Sequence, residues 1–188
     1  NIDLAEKLYN QLLKYKPDHL GVLNNLGALL IQAGRKNQKA KEVLLKVLEI
    51  DPNDTYALEN LGIFYKQNIK YEEAIKCHKK VIEINPKHPG AHNNIALNYR
   101  TIGDFEKAKT HFEKAIELNS QDPNFHNNLG VLFGMLQNHK KEINCYKKAL
   151  EINPNFLISQ SNLSITYIKL LENEQQAIEE SYKTCVLR

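Results

Sequence analysis

Five asparagines, Asn25, Asn60, Asn94, Asn128 and Asn162, recur at intervals of 35, 34, 34 and 34 residues, each just before a Leu or Ile. A side-chain amide carries a donor pair and an acceptor together, so it matches the N–H and C=O of a peptide group and can hold a chain whatever its side chains. All five sit inside apolar patterns of helical spacing, where asparagine, which favours caps and turns, adds nothing to local stability. Two roles are open to the row: bonding the backbone of a bound polypeptide, or bonding a neighbouring helix to fix the packing. Beside it stand Asn24, Asn93 and Asn127, with Glu59 and Ser161 in the corresponding places, a polar and nearly uncharged strip. One turn on, Ala28, Ile63, Leu97, Val131 and Ile165 form an apolar strip that either meets ligand side chains or is half-buried packing. Lys66, Arg100 and Lys169, a further turn on, give one mildly positive edge suited to acidic ligand residues.

Other chemistry finds little support. Of the seven histidines only His88 and His92 have the H-x-x-x-H spacing, no carboxylate set accompanies them, and His92 and His126 hold large packing positions, so structural roles are expected and no metal or cofactor. Cys77, Cys145 and Cys185 lie more than thirty residues apart, neither a metal-binding pair nor a disulfide framework, which points to a reducing, cytoplasmic setting. There is no Gly-rich phosphate loop and no Gly-x-Ser-x-Gly elbow, so this segment is not expected to be an enzyme. Lysine and arginine total 25 against 22 Asp and Glu, a net charge of +3, well short of a dedicated nucleic-acid binder. Base-reading helical repeats also vary their contact residues from repeat to repeat, whereas the asparagines here are identical. No apolar run reaches the roughly 18 residues of a membrane span. Lys79-Lys80 and Lys147-Lys148 read as a solvated face.

The elements that position the asparagines are set by proline. Pro17, Pro52, Pro86 and Pro154 share the same period, with Ser120 on the missing beat. Each proline follows a helix-like run such as Leu-Glu-Ile-Asp and stops it by removing a backbone donor. Between prolines lie two apolar blocks of helical spacing, parted by Gly34, Asn68, Gly103 and Asn138. Each unit is therefore two antiparallel helices. The first reads Leu58-x-x-Leu61-Gly62-x-x-Tyr65, and the same frame holds His92, Ile95, Ala96, Tyr99 and then His126, Leu129, Gly130, Phe133; the second reads Ala74-x-x-x-His78 and Ala108-x-x-x-Phe112. The small residues Gly27, Gly62, Ala96, Gly130 and Ser164 let the paired helix come close.

Large-x-x-Leu-Gly-x-x-Tyr, then Ala-x-x-x-aromatic, then Pro resembles the tetratricopeptide pattern over essentially the whole chain. The resemblance implies an all-α, right-handed superhelical solenoid of antiparallel helix pairs whose first helices wall a concave groove. As one domain, residues 1–19 supply the second helix of a truncated repeat, 20–54, 55–88, 89–122 and 123–156 full repeats, and 157–188 a last, divergent one. Departures are Glu142 in place of alanine, Ser181 in place of an aromatic, and Gln160 near the start of the last unit. The asparagine row is similar to the ladder of O-linked N-acetylglucosamine transferase repeat domains, where it holds the backbone of a bound polypeptide. Carried over, the ladder makes Asn25, Asn60, Asn94, Asn128 and Asn162 peptide-binding, with Asn24, Asn93 and Asn127 on the groove floor and Lys66 and Arg100 on its edge. Helices stacked about 8–10 Å apart would meet an extended chain at about every third residue.

The expected function is a protein-interaction scaffold for an extended polypeptide; the alternative is the substrate-recruiting arm of a larger enzyme such as a protein glycosyltransferase. A carboxylate clamp for chaperone termini needs early lysines where this chain has Gly21, Tyr56, Gly90, Asn124 and Ile158. The chain opens on Asn1 and in mid-repeat, and Ile178, Val186 and Leu187 keep the last helix apolar. These features suggest a cut from a longer array, with continuation in the full protein or end-to-end dimerisation through uncapped helices.

Overall fold

The computed structural model describes residues 2–34 and 38–186, with side chains as far as Gln175. Among these residues there are ten helices and no strand. Residues 1–118 form one compact unit holding α1 (Ile2–Tyr15), α2 (Leu20–Gln32), α3 (Gln38–Ile50), α4 (Thr55–Gln67), α5 (Tyr71–Ile84), α6 (Pro89–Thr101) and α7 (Phe105–Leu118). Residues 119–188 form a second, holding α8 (Pro123–Met135), α9 (His139–Ile152) and α10 (Leu157–Val186).

Four first helices, α2, α4, α6 and α8, run 13 residues each because both ends are specified locally. At the start, a side chain accepts a hydrogen bond from an orphan backbone N–H of the first turn. His19 Nδ1 takes Val22 N, Asp54 takes Ala57 N, His88 Nδ1 takes Ala91 N and Asp122 takes Asn124 N. At the far end, the chain reverses through one residue of left-handed backbone: Gly34 at φ 65°, Ile69 at 61°, Gly103 at 84° and Gln137 at 56°. Glycine adopts this conformation freely, whereas a β-branched residue meets its own carbonyl there. Ile69 is also 72% exposed, so its side chain contributes almost no burial to offset the strain. Ile69→Gly is therefore expected to stabilise the protein by about 1 kcal/mol, read as a higher urea midpoint.

In the first unit, α2 pairs with α3, α4 with α5, and α6 with α7; α4 also packs on α2 and α3, α6 on α5, and α1 on α2. Leu26, Leu30, Leu44 and Val47 are fully buried and cluster with Ala57, Leu61 and Phe64, so the core runs from one hairpin into the next. Each such side chain stabilises by about 2 kcal/mol through burial, and no hairpin could bury this face alone. In the second unit, α8 pairs with α9 and α10 packs on both, over buried Phe125, Leu129, Leu132, Tyr146 and Ala149.

The C-terminal segment departs from expectation. Residues 157–186 form one continuous helix rather than a final helix pair. Counting 34 residues on from Gln137, the turn position falls on Leu171, followed by Glu172, both good helix formers with no reason to leave the helix. Ser164, at the small position, is consequently exposed rather than covered by a second helix. Ser181 and the apolar Ile178, Val186 and Leu187 lie outside the described side chains, as does Cys185.

Candidate functional site

Because each first helix starts at a fixed distance from its turn, each ladder asparagine is the sixth residue of its helix: Asn25 of α2, Asn60 of α4, Asn94 of α6, Asn128 of α8 and Asn162 of α10. In the first unit Asn25 is exposed, and Asn60 and Asn94 are half-buried. Asn25 and Asn60, from successive repeats, line one pocket of about 340 Å³ together with Asn24, Gly21, Ala28 and the exposed Tyr56. Two amides on one pocket, with an aromatic ring and a small apolar patch between them, can bond a peptide backbone and cover a side chain.

The neighbouring row is engaged within the protein. Asn24 Nδ2 donates to Asp54 Oδ2 at 3.0 Å, tying α2 to the residue that caps α4. At the same register Glu59 lies 3.4 Å from Nε2 of His88, the residue that caps α6. Burial raises the Glu59 carboxyl above its ordinary range, against the opposing pull of His88. In the second unit Asn127 is buried, and its Oδ1 accepts from Ser159 Oγ and from Asn162 Nδ2, both at 3.0 Å. These residues connect one first helix to the next; Asn93 is half-buried at the equivalent place. Asn162 thus has one amide hydrogen already engaged, and Asn128, at the same register of α8, is half-buried.

On the expected edge, Lys66 and Arg100 are both half-buried. Burial, and then the adjacent charge of Arg100, hold the Lys66 ammonium below the ordinary lysine range, so the two cations are neighbours. Lys169 is exposed on α10. Of the apolar strip, Ile63 and Ile165 are exposed while Ala28, Leu97 and Val131 are half-buried.

The histidines are spread through the framework. His78 is buried against Gly62, His92 Nδ1 meets His111 Nδ1 at 3.1 Å, and His126 Nε2 meets the Ser120 carbonyl at 3.0 Å. Among the described residues no three His, Cys, Asp or Glu side chains gather closely enough to hold a metal ion. Nor, among them, is any helix long and apolar enough to cross a membrane. Sequence reasoning missed the capping roles of His19 and His88, since histidine is not among the usual capping residues. Their one signal was position, two residues after a turn proline at Pro17 and Pro86.

Three family models, each described as tetratricopeptide repeat, match residues 1–61, 54–121 and 93–155. The chain belongs to the tetratricopeptide-repeat family. No curated protein matches the sequence significantly. Among solved structures, the chain is similar to MamA, at 25% identity and a TM-score of 0.71, over 81% of this chain and 89% of that one. It is also similar to TTC0263, a thermophilic tetratricopeptide-repeat protein of Thermus thermophilus, at 21% identity and a TM-score of 0.77, over 89% and 91% of the two chains. A third, YrrB, is described as a tetratricopeptide-repeat protein with an unusual peptide-binding site; it shares 17% identity and a TM-score of 0.66, over 85% of this chain and 82% of that one. Tetratricopeptide-repeat proteins are protein-interaction scaffolds, and the paired helices seen here are that fold.

Proposed function

We propose that this tetratricopeptide-repeat chain holds an extended polypeptide along its first helices, with Asn25, Asn60, Asn94, Asn128 and Asn162 bonding to the ligand backbone. The observation that carries the reading is the shared pocket of Asn25 and Asn60. Its amides come from consecutive repeats at one helical position, the arrangement that a periodic backbone requires. The engaged row, Asn24 and Asn127 in particular, supports the groove by fixing one helix against the next. Lys66 and Arg100, adjacent and partly desolvated, favour an acidic ligand residue at their level. The resemblance of the row to that of O-linked N-acetylglucosamine transferases suits this role, and suits equally a substrate-recruiting arm within a larger enzyme. YrrB, described as having an unusual peptide-binding site, is a case in which the same fold carries such a site. A reducing, cytoplasmic setting fits the buried thiols of Cys77 and Cys145, the first with its pKa pushed up to about 11 chiefly by burial. End-to-end pairing through the terminal helices would add copies to the array.

The test is binding of unstructured, fluorescently labelled peptides to the wild type and to Asn25→Ala/Asn60→Ala. Each hydrogen bond contributes about 0.5–1.5 kcal/mol, so affinity should fall about tenfold across unrelated peptides while the melting temperature holds. Unchanged affinity, or lost stability with unchanged affinity, would make the asparagines structural.

A further inference from the structure

The second unit breaks the repeat pattern at two places that meet in space. At the register of Lys66 and Arg100 it has Gly134, and at the register of Ala40, Ala74 and Ala108 it has Glu142. A Cβ at position 134 would lie 2.6 Å from Oε1 of Glu142, so the absent side chain on α8 makes room for the carboxylate of α9. Where the two preceding repeats place a cation, this one admits an anion.

Glu142 is only 8% exposed, yet it lines a pocket of about 350 Å³ between α8, α9 and α10. Val131, Met135 and Ile165 give the pocket apolar walls, and the ladder residue Asn162 stands in the same lining. The carboxylate accepts from Thr166 Oγ1 at 2.8 Å, from His139 Nδ1 at 2.9 Å and, over a long 3.4 Å, from Tyr146 OH. Two hydroxyls and an imidazole are not permanent cations, and an ionised carboxylate has about four acceptor sites. A buried carboxylate so placed gains most from a partner that brings both charge and an N–H donor. Lysine and arginine supply these at the end of a methylene stem that suits apolar walls. Lys169 also lines the pocket, but it is exposed, and a flexible four-carbon stem lets it withdraw to solvent.

We propose that this pocket takes a lysine or arginine side chain of the bound segment, so that the second unit reads one basic residue in a chain otherwise held by its backbone. The proposal rests on the groove reading above and adds a specificity that the asparagines cannot provide.

Four labelled peptides test it, identical and unstructured except for one central residue: lysine, arginine, norleucine or glutamate. The wild type should bind the lysine and arginine peptides about tenfold more tightly than the norleucine one. Glu142→Ala, which restores the residue of the other repeats, should erase that preference and keep the norleucine affinity. Glu142→Gln, which keeps shape and can still accept from Thr166, should erase it too and serves should the alanine variant melt early. A norleucine or glutamate preference, or a basic preference that survives both variants, overturns the proposal. Binding that falls in Asn25→Ala/Asn60→Ala but never discriminates lysine from norleucine leaves the groove standing and rejects the pocket. No binding of any peptide rejects both.

Discussion

Lowering the pH from 7 to 4.5 should destabilise this protein by roughly 2 kcal/mol through His78 alone. The ring is 1% exposed, packs against Gly62, and its Nδ1 has no hydrogen-bond partner. Burial first, then the charges of Lys66 and His88, push its pKa down to about 4. In the unfolded chain the same imidazole titrates at its ordinary value near 6.5. Between those two values the unfolded state binds the proton and the folded state does not, so stability is complete above pH 6.5 and drains away as pH falls toward 4. His111, also held near 4 by burial and by His92, adds to the loss in the same window, and His92 is lowered in the same direction. Urea melts of the wild type and of His78→Phe at both pH values check this, because phenylalanine is the residue at this place in the next repeat, Phe112. The variant should lose less stability than the wild type over this interval, by roughly 2 kcal/mol, with His111 and His92 still contributing; an equal loss in both proteins would place the acid sensitivity elsewhere.

A second large effect lies across the same contact. Gly62→Ala should destabilise by about 2 kcal/mol. Alanine normally improves a helix interior by about 1 kcal/mol over glycine, so the sign depends on the neighbour. Here the added methyl would sit 2.5 Å from both Cε1 and Nε2 of His78, closer than any real contact, and a buried ring enclosed between helices has nowhere to turn. Overpacking therefore outweighs propensity. Gly21→Ala is the control: its Cβ would meet only the His19 ring, at 3.5 Å, and the gain should appear there unopposed. In a double-mutant cycle with His78→Ala, the cost of Gly62→Ala should largely vanish. If the cost persists without the ring, the close approach is not its cause.

The two effects show where sequence and tertiary structure divide the specification of this protein. Helix limits were legible because they are set locally: a turn proline such as Pro86 stops one helix whatever lies beside it, and Gly103 reverses the next. The common register of the asparagines was legible for the same reason, since equal spacing puts Asn25, Asn60 and Asn94 at one point on successive first helices. The final helix pair was misjudged because Leu171 and Glu172 carry no local stop, and a similarity to earlier repeats cannot supply one. What chain order alone could not reveal are the contacts that depend on which helix lies alongside. Asn24 and Asn127 look like Asn25 and Asn128 in a list of residues, yet an adjoining helix start turns the former inward to Asp54, Ser159 and Asn162. Glu142 reads as a departure from alanine until Gly134, eight residues away and on the opposite helix, is seen to make its space. Period and turn chemistry determined the helices and their register; side-chain approach across helices decided which polar groups are buried and which are shared.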